Sequence, residues 1–415
     1  MSSSFIIKKG ALKTEETIEL TGSKSESNRA LVLAALSDGK VNIKNLSSAA
    51  DTVTLDNIIN QQIKNNNAVV NVGPAGTAMR FLTAYLSLRG KKVEITGTER
   101  MKQRPIGILV DALKTLGAAI SYKEVDGFPP VLVNGEFQQK SKHIAIRGDI
   151  SSQFLTALLL IGSSLSEGLD LEIIDELTSR PYVEMTLAML QQCGVQYSWN
   201  NEIISIAPQK FEETTLTIEP DWSAASYWYS VAALSKQSII HLPNLKKDSL
   251  QGDSAIAEIM SLFGVTTTYN ETGITIEKVD LDIKPQLLDF KKCPDLAQTV
   301  VVVAAVLGKE FSFTGLETLK IKETDRIFAL QTELAKIGVK LGESQADIYQ
   351  LNCEGLHFPK QLTVATYEDH RMAMAFASLA SVIDEVIVEE AMVVEKSYPH
   401  FWEDFKKIGF YISKK

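Results

Sequence analysis

Six stretches of this chain are apolar almost all the way round a helix: 25–36, 76–87, 151–162, 223–234, 295–306 and 369–380. A helix without a polar face is a helix inside a core, so the pattern predicts six buried helices. Each opens from a short polar or glycine-containing stretch, and successive starts lie 51, 75, 72, 72 and 74 residues apart, as in repeated supersecondary units. Between them runs a second kind of helix, amphipathic and ending on glycine: 106–116 before Gly117, 182–193 before Gly194, 254–263 before Gly264, 326–337 before Gly338 and 400–408 before Gly409. Glycine there fits the left-handed cap position. Alternating segments at 93–96, 171–174, 195–199, 239–242 and 339–342 read as short strands. The result is an α/β chain of six βα units. The end units are no more polar than the middle ones, which favours two globular sets of three over a solenoid with capping repeats.

Composition narrows the function. With 45% hydrophobic and 22% charged residues the chain is a globular protein rather than a disordered one. A net charge of −9 argues against a general nucleic-acid or anionic-membrane surface. The three cysteines lack paired spacing, so neither a disulfide framework nor a metal cluster is expected. Lys8 and Lys9 interrupt what a signal peptide needs as an apolar core, and the apolar runs 157–161 and 300–307 are too short to span a bilayer. A cytoplasmic location is the expectation.

The chemistry sits in the loops that open the buried helices. Thr21-Gly-Ser-Lys24-Ser25-Glu-Ser-Asn-Arg29 runs small residues and two cations into a helix start, where exposed N–H groups favour an anion. Val72-Gly73-Pro74-Ala-Gly76-Thr77-Ala-Met-Arg80 adds a tight turn with a hydroxyl, but no Gly-Lys-Ser/Thr follows and no Gly-x-Gly-x-x-Gly occurs, so nucleotide binding has no support. Arg100-Met-Lys-Gln-Arg104-Pro105 places three cations ahead of a helix, with Pro105 expected in its first turn. Ser151-Ser152-Gln153 and Ser179-Arg180-Pro-Tyr182 offer neutral donors and acceptors, with Arg180 a candidate phosphate partner. Later in the chain, Pro294-Asp295 suggests a helix-capping carboxylate, and Lys322-Glu323-Thr-Asp-Arg326 and Glu368-Asp-His370-Arg371 mix acids with cations, followed by Lys396. Any one of these is an ordinary cap or surface ion pair taken alone. Together they point to a small ligand with several negative charges, and to Asp295 and Glu323 as acids able to move protons among cations.

These motifs, in this order and over nearly the whole chain, resemble those of the 5-enolpyruvylshikimate-3-phosphate synthases, an enolpyruvyl transferase family. The resemblance implies two similar domains, each of three βαβαββ units with inward helices (an inverse α/β barrel), with residues 22–220 in one and 1–21 plus 221–415 in the other. It implies transfer of the enolpyruvyl group of phosphoenolpyruvate to the 5-hydroxyl of shikimate 3-phosphate, with release of phosphate, in the shikimate pathway of aromatic amino-acid biosynthesis. Neither cofactor nor metal, neither nucleic acid nor membrane is implied, and the chain is expected to be a monomer. Carried over by motif, Lys24, Ser25, Arg29, Ser151, Ser152, Gln153, Ser179, Tyr182, Asp295 and Lys322 hold shikimate 3-phosphate. Lys24, Gly76, Arg104, Gln153, Arg326, Arg371 and Lys396 surround phosphoenolpyruvate. Asp295 handles the 5-hydroxyl proton, Glu323 protonates the methylene carbon, and Lys24 reaches both substrates.

Three positions depart from the family pattern: Pro74 where asparagine is common, Phe81 where proline is common, and Thr318 where a longer polar side chain is common. Alternatives are a UDP-N-acetylglucosamine enolpyruvyl transferase, which uses a cysteine on a mobile loop, a non-catalytic anion-binding scaffold, and an RNA-terminal phosphate-processing protein. Cys193, Cys293 and Cys353 read as structural cysteines, and His370 as a positioned polar group rather than a nucleophile.

Overall fold

The computed structural model describes residues 3–65 and 68–415. The six expected buried helices form at Lys24–Leu36, Gly76–Leu88, Ser152–Gly162, Trp222–Leu234, Ala297–Val306 and His370–Ala377. Ala297–Val306 shows why their sequences are apolar all round: every residue in it is buried. Four consecutive valines are helical there against their intrinsic preference, because complete burial outweighs the small cost of β-branching.

Two of these helices are shorter than their apolar runs. Pro294–Leu296 is a 3-10 turn in which Leu296 N–H bonds Cys293 O, so the α-helix starts at Ala297 rather than at residue 295. At the other end of the chain, the Ser378 hydroxyl donates to Ala375 O, and residues Ser378–Ser381 continue as 3-10 rather than α.

Surface helices follow at Gly107–Leu116, Arg180–Gln192, Ile256–Ser261, Arg326–Ala335 and Phe401–Lys407. A further one, Ala50–Asn57 running into a π-helical turn at Ile58–Gln62, carries too weak an apolar stripe to show in the sequence, with only Asp51, Thr52 and Leu55 of its α segment buried. The glycines expected at helix ends all have positive φ. At Gly338 the requirement is also steric, since a Cβ there would lie 1.9 Å from Gly355 O.

Two local expectations fail. Pro105 lies outside its helix, because Ile106 and Gly107 both donate to Gly127 O and the helix begins at Gly107. The strand expected at 195–199 is reduced to Ser198–Asn200, because the Gln209 side chain takes both backbone groups of Gln196.

Among the described residues the strands make six sheets, and five share one pattern: a parallel pair, extended on one side by two strands in antiparallel pairing. Val69–Asn71 beside Lys92–Thr96, followed by Val131–Asn134 and Ile120–Tyr122, is one example. The sixth holds only Val41–Lys44 and Thr214–Thr217, in parallel. The chain divides into two compact units, Gly22–Ile218 and Glu219–Lys415 together with the segment ending at Thr21. That segment supplies Phe5–Lys8 and Glu15–Thr17 to two sheets of the second unit. Within each unit the three buried helices pack on one another.

Candidate active site

In the Gly22–Ile218 unit the starts of several helices meet. Ser23 caps the first buried helix, accepting from Glu26 N–H, and this places Lys24 and Ser25 in the first turn. Lys24 Nζ lies 3.4 Å from Asp51 Oδ2, and Asp51 is buried. Arg29, also buried, donates to the hydroxyls of Thr186 and Thr156 and to the carbonyls of Ser25 and Tyr182, with its guanidinium 5.8 Å from the rings of Phe81 and Tyr182. Burial, partly offset by Tyr182 and Glu26, lowers its pKa to about 10. Arg29 thus ties the N-terminal halves of the Lys24–Leu36, Ser152–Gly162 and Arg180–Gln192 helices together.

Ser151 caps its helix by accepting from Gln153 N–H, and Gln153 Nε2 reaches back 3.3 Å to Thr77 Oγ1 at the start of the second buried helix. Ser179 is held in the left-handed region at φ 54° immediately before Arg180–Gln192, a conformation that costs energy without a glycine. Gly76 opens the second buried helix where two cations crowd the backbone. A Cβ on it would meet Arg104 Nη1 at 2.6 Å and Arg80 Nη1 at 2.8 Å. Arg80 is fixed by donating to Gly76 O and Pro105 O. Arg180, by contrast, is exposed, paired with Glu184 at 2.8 Å and stacked on Trp199.

The other unit builds a web around Arg326, the first residue of its helix. Its Nε donates to Asp369 Oδ2 at 2.7 Å, Nη1 to Asp295 Oδ1 at 3.1 Å and Nη2 to Glu323 Oε2 at 3.1 Å. Burial alone disfavours its charge, but the three carboxylates more than compensate and raise its pKa. Asp295 is therefore not a helix cap: its second oxygen meets Arg371 Nη2 at 2.9 Å, so the carboxylate bridges two guanidinium groups. Glu323 is held in the same way, between Arg326 and Lys396 Nζ at 2.9 Å. Asp369 caps a different buried helix, His370–Ala377, by accepting from Arg371 N–H. Two consecutive residues before it, Tyr367 and Glu368, have positive φ, and Tyr367 is anchored by donating to buried Glu333. Half-buried Lys322 has its pKa lowered by burial, opposed by Asp295 and Glu323 and reinforced by Arg326 and Arg371.

Each unit thus gathers its own predicted residues. Lys24, Ser25, Arg29, Tyr182, Gly76, Arg104, Ser151, Ser152, Gln153 and Ser179 lie at helix starts of one; Asp295, Lys322, Glu323, Arg326, Arg371 and Lys396 cluster in the other. Sequence reading missed Asp51 and the anchoring role of Asp369. His370 is buried with Nδ1 3.8 Å from Asp369 Oδ1, and Thr318 is buried with no partner for its hydroxyl among the described residues. All three cysteines are free thiols whose pKa values burial pushes upward, Cys193 to about 12 and Cys353 to about 11, so none is held as a thiolate.

Among the described residues no cluster of His, Cys, Asp and Glu is placed to hold a metal ion, and no helix is long and apolar enough to cross a membrane. A model of the family described as EPSP synthase (3-phosphoshikimate 1-carboxyvinyltransferase) matches residues 8–61 and 51–405. A 3-phosphoshikimate 1-carboxyvinyltransferase of Bacteroides fragilis (strain YCH46) is 46% identical over 395 residues, which cover 95% of each chain. Another, from Histophilus somni (strain 2336), is 36% identical over 421 residues, covering 94% of this chain and 96% of that one. A solved EPSP synthase structure from Acinetobacter baumannii shares the fold with a TM-score of 0.79, over 99% of this chain and 100% of that one, at 20% identity.

Proposed function

This chain belongs to the EPSP synthase (3-phosphoshikimate 1-carboxyvinyltransferase) family, and from that premise we propose that it transfers the enolpyruvyl group of phosphoenolpyruvate to the 5-hydroxyl of shikimate 3-phosphate, releasing phosphate. The observation that carries the mechanistic part is the Arg326 web, in which two carboxylates, Asp295 and Glu323, are each bridged between two cations. A carboxylate so placed shares its cations with any anionic ligand that arrives.

In this reading Gly76, Arg104, Gln153, Arg326, Arg371 and Lys396 engage phosphoenolpyruvate, and Lys24 serves both substrates. A ligand that takes up Lys396 and Arg326 competes with Glu323 for them and frees that carboxyl to carry a proton. Glu323 delivers the proton to C3 of phosphoenolpyruvate, leaving positive charge at C2. The 5-hydroxyl adds to C2 and gives its proton to Asp295. The tetrahedral product then returns a methyl proton to the Glu323 carboxylate as the bond from C2 to the phosphate oxygen breaks, giving the enol ether and phosphate. Ser151, Ser152, Ser179, Tyr182 and Lys322 hold shikimate 3-phosphate, and Arg29 fixes Ser25 and Tyr182 beside it. Bringing the reactants together supplies up to about 7–11 kcal/mol of the barrier, and placed acid and base groups contribute about 10²–10⁴-fold.

The test is phosphate release from phosphoenolpyruvate with shikimate 3-phosphate, run beside UDP-N-acetylglucosamine. Release with the first acceptor is the expected result. Release with the sugar nucleotide alone overturns the proposal.

A further inference from the structure

Asp253 lies in the turn Gly252–Ala255, buried at 3% exposure, outside every motif that the sequence singles out. Its Oδ2 accepts a hydrogen bond from the Ser223 hydroxyl, thirty residues away in the first turn of Trp222–Leu234. Ser223 Oγ in turn lies 3.5 Å from Arg371 Nη2, the nitrogen that pairs with Asp295 at 2.9 Å. Asp253 Oδ1 has no hydrogen-bond partner among the described residues. A carboxylate buried this way is costly as an anion.

We propose that Asp253 is a positioning residue of this active site, acting through Ser223 on Arg371 and by its charge on Asp295. The inference rests on the function proposed above and adds a residue to it. When Asp253 is ionised it holds the Ser223 proton, so Ser223 turns its lone pairs toward Arg371 and fixes the guanidinium. Ionised Asp253 also repels negative charge on Asp295 and strengthens that group as a proton acceptor. When Asp253 is protonated both effects are lost.

The groups facing Asp253 allow this titration near neutrality. Burial pushes its pKa up to about 7, the neighbouring Asp295 and Asp221 add to the rise, and Arg371 and the Ser223 hydroxyl oppose it. The Cys293 thiol also faces it and is kept protonated by burial. Tyr227, on the same helix as Ser223, places its hydroxyl 3.5 Å from the other terminal nitrogen of Arg371, and burial keeps that phenol neutral.

The experiment has an arm that needs no turnover. Infrared difference titration of the wild-type protein should show a carboxylic acid C=O band lost around pH 7, and Asp253→Asn should lack it. In the kinetic arm, the wild-type kcat/KM for phosphoenolpyruvate should rise through the same pH, whereas Asp253→Asn should lose that inflection and fall about 10²-fold at higher pH. Its KM for shikimate 3-phosphate should stay within about twofold, a split that general destabilisation does not produce. Should Asp253→Asn not fold, Ser223→Ala carries the kinetic arm: it should raise the phosphoenolpyruvate KM about fivefold or more while keeping the inflection. Absence of the band, an Asp253→Asn profile superimposable on wild type, or unchanged Ser223→Ala kinetics each overturns the role. A wild-type protein that shows the band but turns over neither substrate pair instead overturns the function on which the role depends, and the two failures are thereby distinguished.

Discussion

Arg326 and Asp369 form the innermost ion pair of the web: Nε and Oδ2 are 2.7 Å apart, and the two side chains are 2% and 0% exposed. Asp369 also receives Arg371 N–H, so one carboxylate fixes the guanidinium that bridges Asp295 and Glu323 and starts the helix that presents Arg371. Removing Asp369 takes away the acceptor of the Arg326 Nε–H and of the Arg371 N–H, while Asp295 and Glu323 still balance the Arg326 charge. Asp369→Ala is therefore expected to destabilise the protein by about 1–3 kcal/mol, read as a lowered denaturant midpoint. A midpoint within error of wild type contradicts this structural role.

Gly76 tests the cation cradle at the start of the second buried helix. A methyl group there must displace the guanidinium groups of Arg104 and Arg80, whose nitrogens approach to 2.6 and 2.8 Å. Gly76→Ala should raise the KM for phosphoenolpyruvate about tenfold or more while shikimate 3-phosphate affinity holds. Equal losses for both substrates would show that the cradle serves neither in particular.

Asp253 also makes stability depend on pH. Its carboxyl titrates near 7 in the folded chain against an ordinary value of 3.8. Between those values the folded chain keeps a proton that the unfolded chain has released, so stability falls as pH rises through the window and levels off above it. Asp253→Asn should thus be more stable than wild type above pH 7 by on the order of 1–4 kcal/mol, the gap closing toward pH 4. Urea midpoints at pH 4.5, 6 and 8 measure it; a gap of constant size contradicts the titration.

Gln298 is fully buried in the Ala297–Val306 helix, and neither polar atom of its amide has a partner among the described residues. Replacement by methionine keeps the shape and removes an unmet desolvation cost. Gln298→Met is expected to stabilise by about 1–3 kcal/mol, seen as a raised thermal midpoint. A drop would mean that the amide is satisfied.

The buried helices were legible because helices with no polar face have one destination, and the surface helices because glycine marks their ends. Ala50–Asn57 escaped because its apolar stripe is too thin to register. At the site, Lys24, Gly76, Asp295, Glu323 and Arg371 stood out because they lie in polar or glycine-containing stretches that lead into helices. Their partners did not: Asp51 is 27 residues from Lys24, and Asp253 is 30 from Ser223. Pairing across such distances leaves no local spacing to read. For the same reason Asp295 looked like a helix cap, since only the fold reveals the two guanidinium groups that claim it.

In the proposed reaction Glu323, released from Arg326 and Lys396, puts a proton on C3 of phosphoenolpyruvate. Turnover in heavy water measures it directly, because a deuteron added at C3 enters a methyl group and is partly retained in the product methylene. The wild type should release phosphate and label the methylene. Glu323→Gln should bind shikimate 3-phosphate normally while losing both signals about 10²–10⁴-fold. Asp295→Asn should also slow turnover with binding retained. Deuterium entering the methylene at near wild-type rate in Glu323→Gln would contradict the account.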